Sequence, residues 1–363
     1  MKAGIITHYD VHNHGAQLQL YALCKQLGRL GYDARALTYQ KNYDFLELGI
    51  ENKYRISFRS IPYYLGYLFH KGFGRTLYNY NKRKMLNRFR RENGLEGEYY
   101  SKAENLDVAV LGSDEIFSIE PGLNPCFFGM GVPCEKVISY AASCGPTTEE
   151  LIRARYADEF VTAGVRRIGA LSVRDENTRS IVAARTDRAV DIVCDPVLLY
   201  DFREERKAGK RPTGKKYCIV YSYDNHMNDK ETVSAIRAYA GERGLKVYSV
   251  GYYHKWCDRN INLSPLALFA WFENAECVFT DTFHGTVVSL ACHTEFVAKV
   301  SGNANKLAFL LGQYGVEDRR ANTFGDIPEI TSRKTDYAAV NRRIEEIRAH
   351  SLDFLTSALG GAV

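Results

Sequence analysis

Short apolar runs that end in small or polar residues alternate along this chain with longer stretches whose apolar positions recur at helical spacing. Residues 3–7 are apolar and predict a buried strand. After the polar turn His8 to Gly15, Leu18, Leu20, Tyr21, Leu23, Leu27 and Leu30 predict a helix that stops at Gly31. Ala34 to Tyr39 predicts the next strand. This βαβ opening places loop 8–17 at the carboxyl end of the first strand, where open α/β sheets bind ligands.

Residues 43–100 interrupt the alternation with basic, aromatic, helical stretches and a break at Pro62. Strands are then predicted at 106–111, 136–142, 169–173 and 192–194, with helices at 149–163 and 176–184. Each strand ends in a polar or small turn, as loops that line a crevice do. Residues 201–216 are charged, contain Gly and Pro and almost no apolar side chains, and read as a linker. A second α/β unit follows, with strands at 217–221, 246–250, 277–280 and 295–299 and helices at 228–243, 266–274, 285–292 and 304–314.

The expected fold class is α/β, with two doubly wound, Rossmann-like domains facing a cleft and a basic helical insertion in the first. The expected boundaries are 1–205 for the first domain, with the insertion at 43–100, and 214–330 for the second. An amphipathic C-terminal helix over 336–360 is expected to pack back on the first domain.

With 45% hydrophobic and 25% charged residues over 363 positions, the composition excludes a disordered or collagen-like chain. No run of 18 apolar residues occurs, so a spanning helix is not expected. The chain enters a strand-like run at its first residues, which leaves no room for a signal peptide. Nine scattered cysteines without a CxxC pair read as core residues of a reducing, cytoplasmic protein. The formal charge of +5 is uneven: Lys53 to Arg91 holds eleven Lys/Arg and no Asp or Glu, and the rest of the chain carries −6. Such a segment suits an anionic partner.

The sharpest local signal is Thr280-Asp281-Thr282-Phe283-His284-Gly285-Thr286, between an apolar strand and a helix. Backbone N–H groups of a helix N-terminus make an anion site there, and His284 could donate to a phosphate or act as a general acid. The same residues read equally as a cap, with Asp281 or Thr282 as N-cap and His284 merely packed. In the loop 13–19, Gly15 permits close backbone approach, and Asn13 and Gln17 offer donors and acceptors. The loop has neither GxGxxG nor GxxxxGK[ST], so dinucleotide and P-loop sites are unsupported. His8, His12 and His14 have metal-compatible spacing but no accompanying carboxylate or cysteine, and no metal is expected. Either Asp114 or Glu115 could take a proton from a substrate hydroxyl, or the two simply favour a helix N-terminus. Arg174 could grip a carboxylate or phosphate, or pair with Asp175 and Glu176. Asp195-Pro196 reads as a strand terminator.

In order, Asn13-x-Gly15-Ala16-x-Leu18-Gln19-x-Tyr21-Ala22-Leu23, Gly112-Ser113-Asp114-x-Ile116-Phe117, Ser139-Tyr140-Ala141-Ala142-Ser143, Ser172-Val173-Arg174-Asp175, Asp195-Pro196-Val197-Leu198-Leu199 and the 280–286 motif resemble the polysaccharide pyruvyl transferase family. The resemblance implies a glycosyltransferase-B-like fold, phosphoenolpyruvate as co-substrate with no other cofactor, and a sugar diol as acceptor. The product would be a cyclic pyruvate ketal of a capsule or exopolysaccharide precursor, with phosphate released. It implies His284 for phosphate binding and acid catalysis, and Arg174 with Phe283, Gly285 and Lys306 on the donor. Asn13, Gly15 and Gln17 would line the acceptor side of the cleft, with Asp114 as base. Better-known branches carry an arginine where this chain has Thr282, so Lys299 or Lys306 would have to supply that cation. Glu115 stands where many relatives carry glutamine.

The segment 53–91, with Tyr54, Tyr63, Tyr64, Tyr67, Phe69 and Phe73, suits peripheral contact with an anionic inner-membrane face and a lipid-linked glycan acceptor. It reads equally as a helical subdomain with solvated lysines. No nucleic-acid motif accompanies the charge. A nucleotide-sugar glycosyltransferase and a non-catalytic glycan- or phosphate-binding relative are the competing readings, since fold alone does not separate them.

Overall fold

The computed structural model describes residues 1–40, 44, 72–209, 212, 214–300 and 304–361. Pro62 and the aromatic residues Tyr54, Tyr63, Tyr64, Tyr67 and Phe69 lie outside them. In the first half, β1 (Lys2–Ile6), β2 (Asp33–Thr38), β3 (Glu96–Tyr99), β4 (Val108–Leu111) and β5 (Val137–Ser139) form a parallel sheet in the order β3-β2-β1-β4-β5. β6 (Leu171–Val173) pairs with β7 (Val190–Ile192), and single parallel bridges at Ile138–Ala170 and Ala142–Val173 join that pair to the sheet.

In the second half, β8 (Tyr217–Tyr221), β9 (Lys246–Val250), β10 (Arg259–Ile261), β11 (Val278–Thr280), β12 (Phe296–Lys299) and β13 (Arg320–Ala321) run parallel in the order β10-β9-β8-β11-β12-β13. The central strands of both sheets are continuous buried apolar runs, such as Val108–Leu111 and Tyr217–Tyr221, because helices cover both faces.

The first helix, His14–Arg29, starts four residues before the apolar periodicity does. Asn13 caps it by accepting from Gly15 N at 2.8 Å. Behind the cleft the two halves share one apolar cluster. Tyr21 of the first helix stacks on Phe202 at 5.9 Å between ring centroids, and Phe202 meets Phe269 at 4.6 Å. The C-terminal helix, Tyr337–Leu359, closes over the same region: Ser351 Oγ accepts from Cys194 N at 2.9 Å, and Arg348 Nε donates to Leu198 O at 2.7 Å. All nine cysteines are free, and eight are buried.

The structure departs from the pattern in places. β3 and β10 are short edge strands with polar sequence, Glu-Gly-Glu-Tyr and Arg-Asn-Ile, and carry no apolar signal. The stretch 149–163 is two helices, Glu149–Ala154 and Asp158–Arg167, broken where Tyr156 has φ +52°. The linker contains a helix, Arg203–Ala208.

The insertion also departs from expectation. Phe73–Glu92 is one helix that bridges the halves. Tyr78 OH donates to Ile261 O at 3.1 Å, and Arg75 pairs with Asp224 at 2.8 Å. Lys82, expected among the solvated or membrane-facing cations, is buried: it donates to Gly251 O at 3.0 Å and lies 4.5 Å from the Tyr252 ring centroid. Arg90 is buried as well, pairing with Glu96 and Asp10. These two cations serve the interior, so they are unavailable to a lipid surface. Among the described residues no helix is long and apolar enough to cross a membrane.

Candidate functional site

A cleft of about 570 Å³ opens between the carboxyl ends of the two sheets. The first half contributes His8 after β1, Asp114 and Glu115 after β4, and Arg174 after β6. The second contributes Tyr223 and His226 after β8, Asp281 to His284 after β11, and Lys306.

At its base lies a buried ionic cluster. Arg174 Nη1 donates to Asp195 Oδ2 at 3.0 Å, and Nη2 stands 3.8 Å from Asp114 Oδ1. The guanidinium sits 4.2 Å from the Phe283 ring centroid, a cation–π contact. His284 Nε2 lies 3.6 Å from the same Asp195 oxygen, beyond hydrogen-bond distance, and has no other partner; Arg174 Nε also has none. Asp195 in turn caps Pro196–Leu199, accepting from Val197 N at 3.0 Å. The residue that reads as a strand terminator is therefore the common anion of Arg174 and His284. Burial would raise its carboxyl pKa, but His284 and Arg174 beside it hold it below the ordinary value. Arg174 does not pair with its neighbours in sequence: Asp175 caps the next helix and accepts from Ser143 Oγ at 2.7 Å.

Asp114, after β4, stands on the other side of Arg174 from Asp195. Burial opposes its ionisation, yet the charges of His8, Arg174, His284 and Lys306 bring its pKa down from 3.8 to about 2. Its closest cationic contact is Arg174, with Nη2 at 3.8 Å. Gly112, two residues earlier, has φ +127°, and a β-carbon there would fall 2.0 Å from Tyr140 O. Only glycine lets β4 turn so sharply into the cleft.

Lys306 Nζ donates to Glu115 Oε1 across the cleft. Of the two lysines considered as a replacement cation, Lys306 stands in the site, whereas Lys299 lies 5.6 Å from the Phe324 ring centroid. Thr282 is the N-cap of the helix Phe283–Cys292, accepting from Gly285 N at 3.0 Å. The Thr282 hydroxyl thus caps the helix, as one reading of the 280–286 motif expected, and Thr282, Phe283 and His284 line the cleft.

Asn13 lines the cleft, and Gly15 lies directly against His284: a β-carbon on it would meet that ring at 2.2 Å. Gln17, expected in the crevice, is fully buried and supports the loop from beneath, donating to Tyr9 O at 2.9 Å and Val11 O at 3.0 Å. Histidines 8, 12 and 14 do not converge. His14 Nε2 donates to Leu263 O at 2.7 Å, and burial lowers its pKa to about 4, while His8 contacts Tyr39 and Glu115 O. No metal-holding cluster occurs among the described residues.

Sequence reasoning missed the second-half wall. His226 Nδ1 donates to Asp281 Oδ2 at 2.7 Å, and Tyr223 stands edge-on to His226 at 5.5 Å. Fifty-five positions separate His226 from Asp281, and no local motif links them.

In comparisons with solved structures, the fold is similar to that of Methanocaldococcus jannaschii UDP-GlcNAc 2-epimerase, with 11% identity over 96% of this chain and 100% of that one and a TM-score of 0.52. It is also similar to S. aureus MnaA, solved with UDP, with 9% identity over 98% and 97% and a TM-score of 0.54. At such identities the likeness concerns the fold: two Rossmann-like α/β halves about a cleft, the glycosyltransferase-B arrangement. No curated protein matches the sequence significantly. The profile described as polysaccharide pyruvyl transferase matches residues 13–301, which include every cleft residue named above except Asn13's predecessors and Lys306. The chain belongs to the polysaccharide pyruvyl transferase family, a family of enzymes.

Proposed function

We propose that this enzyme transfers pyruvyl from phosphoenolpyruvate to two hydroxyls of a glycan precursor, forming a cyclic ketal and releasing phosphate. The observation that carries this reading is that Arg174 Nε and His284 Nε2, buried beside the helix N-terminus that lines the cleft, make no hydrogen bond, with only Asp195 at 3.6 Å from the imidazole. A buried donor without an acceptor is costly, and an anionic ligand relieves that cost.

In this reading Arg174 and Lys306 hold the donor's carboxylate and phosphate, displacing Asp114 and Glu115 from their sides. His284, balanced by Asp195, gives a proton to the methylene carbon as positive charge develops on the adjacent carbon. A sugar hydroxyl adds there, phosphate departs with its bridging oxygen, and the second hydroxyl closes the ring. One hydroxyl proton is balanced by the methyl group and the other by the phosphate; nothing is oxidised. In this reading phosphoenolpyruvate is the co-substrate and no further cofactor takes part.

The test is phosphate release from phosphoenolpyruvate in the presence of simple pyranosides, followed by mass spectrometry of the acceptor. Acceptor-dependent release with a pyruvate ketal on the sugar supports the reading. Consumption of a nucleotide sugar instead, with phosphoenolpyruvate untouched, replaces it.

A further inference from the structure

We propose that His226, oriented by Asp281, is the base that takes the acceptor hydroxyl protons, and that Tyr223 beside it is the platform for the acceptor sugar ring. The assignment rests on the pyruvyl-transfer reading and places the base on the second half of the cleft rather than at Asp114.

Among the described residues, the proton acceptors that the first half brings to the cleft have partners. Asp114 balances Arg174, Glu115 accepts from Lys306, and His8 contacts Tyr39 OH through Nδ1 and Glu115 O through Nε2. His226 differs. Its Nδ1 donates to Asp281, so Nε2 is the ring nitrogen left for a ligand, and the residue lines the cleft. The two partners are unequally exposed, Asp281 at 5% and His226 at 46% of the side chain, so the carboxylate is fixed and the imidazole reaches solvent and substrate. Asp281 follows β11 directly and precedes the Thr282 cap, and its Oδ1 is buried without a partner. From behind, His254 Nε2 donates to His226 O at 3.2 Å and fixes the backbone. A carboxylate that holds one imidazole nitrogen while the other faces substrate is the arrangement a general base requires.

Tyr223 completes the subsite. It is 43% exposed, stands edge-on to His226, and packs on Tyr252 at 5.2 Å between centroids. A half-exposed ring beside a polar base suits a pyranose, whose C–H face stacks while its hydroxyls point to the imidazole.

In the step assigned here, His226 Nε2 takes the proton of the first hydroxyl as its oxygen bonds to the central carbon of the donor. It releases that proton to solvent and repeats the transfer for the second hydroxyl as the ring closes. The bond that breaks is the one from that carbon to the phosphate oxygen, and the phosphate carries the electron pair away.

The experiment compares the parent enzyme with His226→Ala, Asp281→Asn and Tyr223→Leu. The probes are phosphoenolpyruvate with p-nitrophenyl pyranosides, read as phosphate release, and calorimetric titration of phosphoenolpyruvate alone. H226A should lose about 10²–10⁴-fold in kcat, bind phosphoenolpyruvate as the parent does, and recover turnover with added imidazole. D281N should lower kcat with unchanged donor affinity, and Y223L should raise the acceptor KM. Parental turnover in H226A, or a loss that imidazole does not restore, overturns the assignment of the base. A parental acceptor KM in Y223L overturns the platform. A parent that forms no ketal overturns the pyruvyl-transfer reading and this assignment with it, whereas an active parent with an equally active H226A overturns this assignment alone.

Discussion

Gly15, in the first turn of the first helix, lies so close to His284 that an added β-carbon would stand 2.2 Å from its Cγ and 2.5 Å from its Nδ1. One half of the molecule thus sets the position of the histidine that the other half presents. Gly15→Ala must displace the ring or the helix. Overpacking of this kind costs about 1–3 kcal/mol, and a displacement near 1 Å at a reacting group costs on the order of 10²-fold in rate. Phosphate-release assays should show the larger loss in kcat, with only a modest fall in thermal midpoint.

Asp195 is the anion shared by Arg174 and His284, and it is completely buried. Asp195→Ala leaves the Arg174 guanidinium without its main partner and Val197 N without its cap. Removing one member of a buried pair typically costs about 3–5 kcal/mol. Urea denaturation should show D195A destabilised by that order, with D195N retaining more of the stability.

Asp114 makes acid stability a readout of the site. An unfolded aspartate binds its proton near pH 3.8, whereas the folded one stays ionised down to about 2. The stabilisation is therefore complete above the unfolded value and is lost as pH falls from about 4 towards 2. Urea midpoints measured through that window should fall more steeply in the parent than in Asp114→Asn.

Lys82 gives the same direction of slope at alkaline pH, though here through a buried charge that destabilises the fold. Burial lowers its pKa from 10.5 to about 8, so the unfolded chain binds the proton more tightly than the folded one. Stability contributed by this group rises between pH 8 and 10.5, as the folded form escapes the penalty of a buried charge. In Lys82→Met that rise should vanish from the denaturation profile. The same variant should bind anionic liposomes as the parent does, because the side chain faces Gly251 and Tyr252.

The Lys306–Glu115 pair crosses the cleft, so a donor bound as proposed would compete with an internal carboxylate. Glu115→Gln should tighten phosphoenolpyruvate binding, and Lys306→Met should weaken it about tenfold or more, both read by calorimetry.

Much of the frame was legible because buried parallel strands are written as uninterrupted apolar runs. Val108–Leu111, Tyr217–Tyr221 and Val278–Thr280 each sit where such a run stands, and the turns after them carry the cleft residues. The edges were not legible: Glu96–Tyr99 and Arg259–Ile261 owe their strand form to a neighbour's backbone rather than to their own side chains. Within the site, motifs identified His284, Arg174 and Asp114, which side by side on the strand ends form one cluster. Which group serves whom was hidden, because it depends on pairings across space. Asp195 reads as punctuation until β7 brings it to Arg174, and His226 reads as a loop residue until β8 and β11 set it against Asp281. Gln17 and Lys82 look available in the sequence, but the loop and the bridging helix bury them.

The central claim is that the cleft around His284 and Arg174 receives phosphoenolpyruvate. Its most direct test is calorimetric titration of phosphoenolpyruvate into the parent protein and into His284→Ala. The account predicts saturable binding to the parent that the substitution weakens at least tenfold. Binding to both proteins with equal affinity, or to neither while a nucleotide sugar binds the parent, would contradict it.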